Sequence, residues 1–344
     1  MKIAQIAPLA ERVPPKKYGG TERVIHVLIE ELVARGHEVT LFASGDSQTS
    51  ADLRSVYPRS LREAKIPDPY GISPLELLNI GVVYDLQDAF DVIHDHRVPI
   101  SLPVANIAQT PVVATMHGAF NRENRRLFEM LNRVPIATIS QAQALSLPAL
   151  NHAGTVYNGL RLEHYPFGAE YGQYLLFVGR ISMEKGAHIA IRVAQELDMP
   201  LILAAKLDQV DMPYFNEYVS PYLSERIRWI GEVDEEERNS LMKEARCMLH
   251  PVTWREPFGL VLIEAIACGC PVVGFSRGSI PEVVKDGVSG RVVDDIDEMI
   301  DAVEGIDTLD RAACRAYALT NFNEKRMADG YEAIYRKLIE KSAA

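Results

Sequence analysis

Short apolar runs rich in β-branched residues alternate with helical patterns along the whole of this chain. Such alternation is typical of parallel β-sheets that carry helices on both faces. The chain has 344 residues, enough for two domains of this kind. The runs that we predict to be strands are KIAQIAP, EVTLFAS, DVIHDH, PVVATMH and PIATIS in the first half, and YLLFVGR, PLILAAK, IRWIG, CMLHP, PVVGF and GRVV in the second.

The alternation breaks at residues 151–172, which are rich in Gly, Tyr, His and Pro. We interpret this stretch as the connection between two doubly wound, Rossmann-like α/β domains, residues 1–160 and 161–322. Residues 323–344 hold a last helix of mixed charge, which could pack against either domain, including back onto the N-terminal one. Ligands of doubly wound sheets bind beyond the carboxyl ends of the strands, so we expect functional residues in the loops along a shared central cleft.

The balance of charges argues against several classes of partner. The chain has 36 Lys and Arg residues against 47 Asp and Glu, a formal net charge of -11. This acidity speaks against a nucleic-acid binder and permits at most transient contact with a membrane. No apolar run approaches the length of a membrane span, and the N-terminal residues lack the pattern of a signal peptide. The four cysteines include one close pair, C-x-C, and are expected to be buried, reduced thiols of a cytoplasmic protein.

The loop after the first predicted strand reads YGGT and leads into an amphipathic helix. Thr21 is the predicted N-cap of this helix, and Gly36 closes its C-terminus. Gly19 and Gly20 allow backbone N–H groups to approach an anion at the helix N-terminus, although a tight turn without a ligand is an equal alternative. The spacing differs from the G-x-G-x-x-G fingerprint, which argues against a nicotinamide dinucleotide.

Two cations lie near the end of the first predicted strand of the second half, within VGRISMEKG. Arg180 offers a planar fork of donors, and Lys185, five residues further on, offers a point charge. Together they suit a diphosphate. The alternative is an exposed loop with ordinary surface charges.

The segment EPFGLVLIEAIA carries two glutamates, Glu256 and Glu264. A helix is predicted to start near Gly259, so the N–H groups of Gly259 and Leu260 point outward at its N-terminus, ready for an anion. Glu264 falls where the segment is apolar on nearly every face, and a carboxylate there needs hydrogen-bond donors. A pair of ribose hydroxyls or a buried arginine would supply them.

The string EPFGLVLIE resembles the motif of two glutamates separated by seven residues in family 4 retaining glycosyltransferases of the GT-B fold. The similarity extends over nearly the whole chain, and the order and spacing of its motifs are highly specific. Besides the glycine loop and VGR…EKG, the matching motifs are MHG at 116–118, SQA at 140–142, YNGL at 157–160, WIGEV at 229–233 and RGSIPEVVKDGVSG at 277–290.

The resemblance implies an enzyme of carbohydrate biosynthesis, a retaining, metal-independent hexosyl transferase without a cofactor. Its donor is a nucleotide diphosphate sugar, with UDP-hexose favoured by family frequency and GDP or ADP sugars left open. Its acceptor is a hydroxyl of a glycan, a lipid-linked molecule or a small molecule. Two alternatives are a non-catalytic sugar-nucleotide-binding protein and an epimerase or phosphorylase on the same scaffold.

For the donor nucleotide, the resemblance implies contacts from both domains. Glu264 is expected to bind the ribose hydroxyls, while Arg180 and Lys185 neutralise the diphosphate. Gly20 is expected to contact the distal phosphate across the cleft. The positions whose backbone would frame the base are Gly231, Glu232 and Val233.

For the transferred sugar, the resemblance implies contacts from two segments. Glu256 is expected to meet hydroxyls of the sugar, assisted by the backbone of Phe258, Gly259 and Leu260. His117, in MHG, is similar to the family histidine that lies beside this sugar. We therefore predict that Arg180, Lys185, Glu256 and His117 are the residues nearest to the chemistry.

Further polar residues after predicted strands have more than one interpretation. His94, Asp95 and His96 form either a structural or polar wall or a contact with the acceptor, with a metal site as the weakest of the three. Ser140 either lines the acceptor side or caps a helix. We find no convincing Asp-x-Asp metal site in the sequence.

Overall fold

The computed structural model describes residues 1–17, 19–66 and 74–343. Contacts within the chain divide it into two compact units, Met1–Leu160 with Glu324–Ala344, and Arg161–Asn323. Tyr18, the first residue of YGGT, lies outside the described residues.

The first unit is built on a parallel sheet that contains seven strands among the residues described. Their spatial order is β3-β2-β1-β4-β5-β6-β7, and every pair of neighbours is parallel. The strands are β1 Lys2–Ile6, β2 Glu38–Phe42, β3 Asp52–Arg54, β4 Val92–Asp95, β5 Val112–Met116, β6 Ile136–Thr138 and β7 His152–Thr155.

Helices that pack on this sheet supply its core with apolar side chains. They are α1 Gly20–Ala34, α2 Pro74–Asp85, α3 Leu102–Ala105, α4 Arg122–Met130, α5 Gln141–Ser146 and, from the end of the chain, α13 Glu324–Ala343. Helix α13 packs on α1 and against β4, β5 and β7. Tyr331 and Tyr335 of α13 are fully buried, so the last helix forms part of the interior of the first unit.

The second unit repeats the architecture with six parallel strands in the order β10-β9-β8-β11-β12-β13 among the residues described. These strands are β8 Leu175–Arg180, β9 Leu201–Lys206, β10 Ile227–Gly231, β11 Cys247–His250, β12 Val272–Phe275 and β13 Gly290–Val293. The helices are α6 Ala187–Glu196, α7 Met212–Tyr218, α8 Glu235–Glu244, α9 Leu260–Ala267, α10 Ile280–Val283, α11 Ile296–Glu304 and α12 Arg311–Asn321. The four cysteines of the chain are buried in this unit, as expected.

The architecture confirms the predicted α/β class, because each run predicted as a strand contains one and both sheets are parallel. Two strands were missed. β3 is three residues long and mostly exposed, and β7 lies within the stretch 151–172 that we interpreted wholly as a connection. Both sit at sheet edges and carry no apolar run, so only pairing with a neighbour reveals them.

The termini of α1 show one error and one success. Thr21 does not cap the helix, because the N-cap is Gly19 with φ 146° and the helix already begins at Gly20. The C-terminal prediction is confirmed. Gly36 has φ 84° and donates its N–H to the carbonyl of Val33 at 2.9 Å, the left-handed stop that a glycine favours.

Candidate functional site

The loops that follow β8 and β11 meet beyond the carboxyl ends of these neighbouring strands. The Thr253 N–H donates to the carbonyl of Glu184 at 2.9 Å, which ties the two loops together. Gly186, with φ 76°, has no room for a side chain, since a Cβ there would lie 2.2 Å from the carbonyl oxygen of Pro251. This close packing places Lys185 directly beside the segment that carries Glu256.

Lys185 and Glu256 form a largely buried ion pair. The Lys185 ammonium nitrogen lies 2.6 Å from Glu256 Oε2, and their side chains are 17% and 9% exposed. The indole of Trp254 contacts both partners. Its Nε1–H donates to Glu256 Oε2 at 2.9 Å, and its ring centroid lies 4.7 Å from the Lys185 nitrogen. Trp254 therefore fixes the two charges relative to each other.

The surroundings of Glu256 keep its carboxylate charged. Burial by itself would raise the pKa, but the neighbouring His250 and the positive charge of Lys185 outweigh it and lower the pKa to about 2. His250 Nε2 lies 3.7 Å from Glu256 Oε2, and burial lowers the pKa of this histidine. Glu256 Oε1 carries no hydrogen bond from any residue that the structure describes, so one charged oxygen remains open to a ligand.

Glu264 lies in α9, whose side chains are otherwise apolar. Arg238 of α8 donates from Nη2 to Glu264 Oε1 at 3.0 Å, and the Tyr165 hydroxyl donates to the same oxygen at 3.3 Å. The buried arginine considered in the sequence analysis is thus present. Within the described part of the chain nothing hydrogen-bonds to Oε2, so this carboxylate also has one oxygen held and one open.

The other predicted donor-binding positions of the second unit lie at strand ends or at the start of α9. Arg180 ends β8, and its Nη2 donates to Glu184 Oε1 at 2.9 Å on the partly exposed side of the loop. Gly259, with φ 79°, is the N-cap of α9, which confirms the predicted helix start before Leu260. Phe258 is buried. Gly231, with φ 81°, ends β10, and the exposed Glu232 and the partly buried Val233 follow it.

In the first unit, Gly19 and Gly20 begin α1 as a compact turn. A Cβ on Gly19 would lie 2.6 Å from Cβ of Pro15, so the turn packs tightly on the preceding loop. Glu22, in the first turn of α1, is buried. Burial is the main reason why its pKa is raised to about 7, with nearby Glu11 adding to the effect.

His117 and the cluster around His94 occupy the ends of β5 and β4. His117 is partly exposed, and its Nε2 lies 2.9 Å from Nδ1 of His96, which is buried. His94 is fully buried, with Nδ1 2.6 Å from the Tyr335 hydroxyl and Nε2 2.7 Å from the Thr115 hydroxyl. Both ring nitrogens of His94 are therefore engaged within the protein, and neither is open to an acceptor substrate in this structure.

Asp95 and Ser140 are also fully buried, and both accept hydrogen bonds from neighbouring groups of the first unit. Asp95 accepts from the Tyr84 hydroxyl and from the Arg97 N–H, both at 2.8 Å. Ser140 is the N-cap of α5 and accepts from the Gln143 N–H at 3.1 Å, the capping alternative of the sequence analysis. No group of three or more His, Cys, Asp or Glu side chains in the described ranges is arranged to hold a metal ion.

Sequence reasoning missed four residues that the fold brings to the two glutamates, namely His250, Trp254, Arg238 and Tyr165. Trp254 stands two positions before Glu256, so its proximity in sequence was a usable signal. Arg238 lies in the acidic stretch DEEERNS of α8, and Tyr165 lies in the connecting stretch. Nothing in their local patterns indicates a partner in α9.

Two parallel-sheet α/β units, with carboxylates and cations at the strand ends of the second, define the class of protein. This is a glycosyltransferase of the GT-B fold. The chain belongs to family 4 of these enzymes. The Glycosyltransferase Family 4 model matches residues 18–146, and the model described as Glycosyl transferases group 1 matches residues 168–312.

Individual relatives agree with this assignment. A phosphatidyl-myo-inositol mannosyltransferase of Propionibacterium freudenreichii is 27% identical over 318 residues, which cover 83% of this chain and 80% of the relative. The structure of a glycosyltransferase involved in avilamycin A biosynthesis matches with a TM-score of 0.77 and 26% identity over 98% of both chains. The Anabaena protein HepE, in complex with UDP and glucose, shares the fold with a TM-score of 0.75 and 21% identity, over 98% of this chain and 100% of HepE.

One negative finding concerns membranes. In the described part of the chain, no helix combines the length and the apolar character that crossing a bilayer requires.

Proposed function

We propose that this protein is a retaining transferase that moves a hexose from a nucleotide diphosphate to an acceptor hydroxyl without a metal ion. The observation that carries the proposal is the shared design of Glu256 and Glu264. Each has one carboxylate oxygen held by a cation and the other without a hydrogen bond from the described residues. Two such carboxylates on one segment suit a ligand that presents hydroxyl groups at two places, as a nucleotide sugar does.

Glu264 supports the binding of the ribose. Arg238 and the Tyr165 hydroxyl both bind Oε1, which fixes the plane of the carboxylate. The open Oε2 then accepts from a ribose hydroxyl as a charge-assisted hydrogen bond. The nearby guanidinium of Arg238 offsets much of the cost of burying this carboxylate.

Lys185 and Arg180 support the binding of the diphosphate. Arg180 is the last residue of β8, Lys185 lies in the loop beyond it, and the N-terminus of α9 follows Glu256. Breaking the anomeric C–O bond leaves negative charge on the departing phosphate, and preorganised cations and N–H groups stabilise this charge. In our proposal these groups take the part that a divalent metal takes in other enzymes of this reaction class.

The proposed reaction needs no protein nucleophile. The acceptor hydroxyl attacks the anomeric carbon from the face that the diphosphate leaves, and the C–O bond to the phosphate breaks as the new one forms. The hydroxyl proton passes to an oxygen of the leaving phosphate. Positive charge develops on the sugar in the transition state, and the Glu256 carboxylate orients that sugar through its hydroxyls.

The favoured donor is a UDP-hexose, with GDP and ADP sugars as the competitors. The HepE complex with UDP and glucose makes UDP the first nucleotide to try. The acceptor is proposed to be a glycan, a lipid-linked molecule or a small molecule. The relative whose name specifies a phosphatidyl-inositol acceptor makes a lipid-linked acceptor a reasonable first screen.

Calorimetric titration with UDP, GDP and ADP tests the donor site. Wild type, Glu264→Gln and the control Glu304→Gln, which neutralises an exposed carboxylate in α11, are compared with and without EDTA. We expect one nucleotide to bind equally well with EDTA, and Glu264→Gln to weaken it roughly 10- to 100-fold, as for loss of a charged hydrogen bond. Binding of none of the three would contradict the proposal.

The stereochemistry is tested separately. With the nucleotide and an acceptor in hand, proton NMR of the first product formed reports its anomeric configuration. We expect the configuration of the donor. An inverted product would refute the retaining mechanism while leaving the donor site intact.

A further inference from the structure

A series of hydrogen-bonded polar side chains in the first unit leads from α13 to His117. Gln5, near the end of β1, donates from Nε2 to the Tyr335 hydroxyl at 3.3 Å. Its Oε1 lies 2.8 Å from Nε2 of His96, and Nδ1 of His96 lies 2.9 Å from Nε2 of His117. Gln5 is fully buried and His96 almost so, whereas His117 is partly exposed and is the last residue of this hydrogen-bonded series.

The geometry assigns a direction to every hydrogen bond between His117 and Tyr335. Because Gln5 presents its carbonyl oxygen to His96, the His96 proton sits on Nε2 and its Nδ1 is an acceptor. The His117 proton must then sit on Nε2, from which it is donated to His96. Nδ1 of His117 is left as an acceptor, and it receives no hydrogen bond from the described residues.

A second branch from the same tyrosine runs in the same sense. The Tyr335 hydroxyl, which accepts from Gln5, donates to Nδ1 of His94 at 2.6 Å. His94 then donates from Nε2 to the Thr115 hydroxyl, which donates to Tyr331 at 3.1 Å. Each group between His117 and Tyr331 donates one hydrogen bond and accepts one, so a single arrangement satisfies both branches.

Two further observations favour fixed, neutral rings. The rings of His94 and His96 lie 3.9 Å apart between centroids, and those of His96 and His117 are stacked at 5.1 Å, so none can turn freely. Burial lowers the pKa of His117 to about 4 and that of His96 below its ordinary value. At neutral pH each ring therefore carries one proton, and its position is decided by the partners.

We propose that His96 is a positioning residue which, with Gln5 behind it, holds His117 in the tautomer protonated at Nε2 and presents Nδ1 as an acceptor to a hydroxyl of the transferred sugar. The role of the sugar rests on the proposed function, but the tautomer does not. A reversed network would present an N–H at the same place, which would favour a different ligand group.

Nitrogen NMR of protein labelled with ¹⁵N-histidine tests the tautomer without any substrate. Protonated and unprotonated ring nitrogens resonate in separate regions, and His117→Asn identifies the His117 signals. We expect Nε2 of His117 to be protonated and Nδ1 to be bare in the wild type. The opposite pattern, or an even mixture of tautomers, would overturn the proposal.

Two variants of His96 separate hydrogen bonding from packing. Asn in place of His96 can put its Oδ1 near the position of Nδ1 and still accept from His117, so His96→Asn should retain the tautomer. Leu fills similar space without an acceptor, so His96→Leu should yield mixed tautomers. If His96→Leu does not fold, Gln5→Met removes the support of His96 from behind and is expected to give the same mixture. A wild-type NMR pattern in the folded variant that lacks the hydrogen bond would overturn the proposal.

Turnover measurements then test the link to the reaction. We expect His96→Leu, or Gln5→Met in its place, to lower kcat/KM by about 100-fold, and His96→Asn to restore most of it, since a wrong histidine tautomer removes a preorganised interaction. Unchanged turnover with a changed tautomer would refute the positioning role. If no donor nucleotide binds in calorimetry while the NMR pattern is as expected, the proposed function fails and the tautomer assignment stands.

Discussion

The ammonium nitrogen of Lys185 lies 2.6 Å from Oε2 of Glu256, and the indole of Trp254 contacts both. The two residues are 71 positions apart in sequence, and in the proposed reaction they are the cation and the anion that act side by side. Their pairing holds each one in place before a donor arrives. In the proposed function, a diphosphate competes with Glu256 for the charge of Lys185, and the sugar hydroxyls bind the open oxygen of Glu256.

Replacing Lys185 with Ala should nearly abolish transfer. Loss of one preorganised donor to a developing negative charge costs roughly 3–4 kcal/mol of transition-state stabilisation. Steady-state kinetics of Lys185→Ala and of the exposed control Lys337→Ala measure this loss. Near-normal turnover of Lys185→Ala would contradict the assignment of Lys185 to the diphosphate site.

The ion pair makes a pH-dependent contribution to stability. The pKa of Glu256 is lowered from 4.5 to about 2, so the folded state holds this group charged more readily than the unfolded state does. The contribution is therefore present above pH 4.5 and is lost as the pH falls towards about 2. Urea unfolding of wild type and Glu256→Gln at pH 6 and pH 3 should show a free-energy difference that shrinks at pH 3. A difference that grows on acidification would contradict this sign.

Glu22 should show the opposite pH dependence. Its pKa is raised from 4.5 to about 7, first by burial and then by Glu11, so the folded state favours the protonated form. The stability that its protonated form provides is complete below pH 4.5 and is lost as the pH rises through about 7. We expect Glu22→Gln to unfold at a higher temperature than wild type at pH 8 and at a similar one at pH 4.5. Equal melting temperatures at pH 8 would show that Glu22 titrates normally.

Gly278 supports the backbone of Glu256 from behind. Its φ is 63°, and a Cβ there would lie 2.3 Å from the Glu256 carbonyl oxygen and 2.5 Å from its nitrogen. Gly278→Ala should therefore displace Glu256 and weaken binding of the nucleotide sugar. Gly287 is a matched control, because its φ of 74° imposes similar strain of about 1–2 kcal/mol while a Cβ meets only the Arg291 side chain at 3.4 Å. Equal effects of the two substitutions on affinity and melting temperature would refute the role of Gly278.

Two substitutions separate the contribution of the Trp254 N–H to Glu256 from that of its ring to Lys185. Trp254→Phe keeps an aromatic ring for Lys185 but removes the N–H that Glu256 accepts, and Trp254→Leu removes both. We expect about a tenfold loss of kcat/KM for Phe, as for one hydrogen bond to a charged group, and a larger loss for Leu. The kinetics of the two variants measure the difference. Full activity of Trp254→Leu would mean that the ion pair positions itself without the indole.

Much of the fold was predictable because the strands of a doubly wound sheet are buried on both faces. LLFV, CML and VVGF, within β8, β11 and β12, are continuous apolar runs that can be recognised without knowledge of distant neighbours. The short edge strands DLR and HAGT have no such run. Their pairing with β2 and β6 is a property of the assembled sheet, and so is the position of the last helix within the first unit.

The candidate site divides in the same way. Glu256, Gly259 and Glu264 could be found from the sequence, since a helix start after a glycine and a carboxylate in an apolar helix are local signals. The charge partners of these glutamates could not be identified from the sequence. For Glu264 the sequence indicated only that some hydrogen-bond donor is needed. Arg238 comes from an acidic surface helix, and Lys185 could have remained an ordinary loop charge.

The sequence by itself determined the α/β class, the two sheets and the family, because periodicity, strand-end motifs and their order are written along the chain. The tertiary structure alone decided which groups meet: Lys185 with Glu256, Arg238 with Glu264, and His96 with His117. The physical reason is that charge pairing and tautomer choice depend on distances of a few ångströms between residues far apart in sequence. Those distances exist only once the strands have packed side by side.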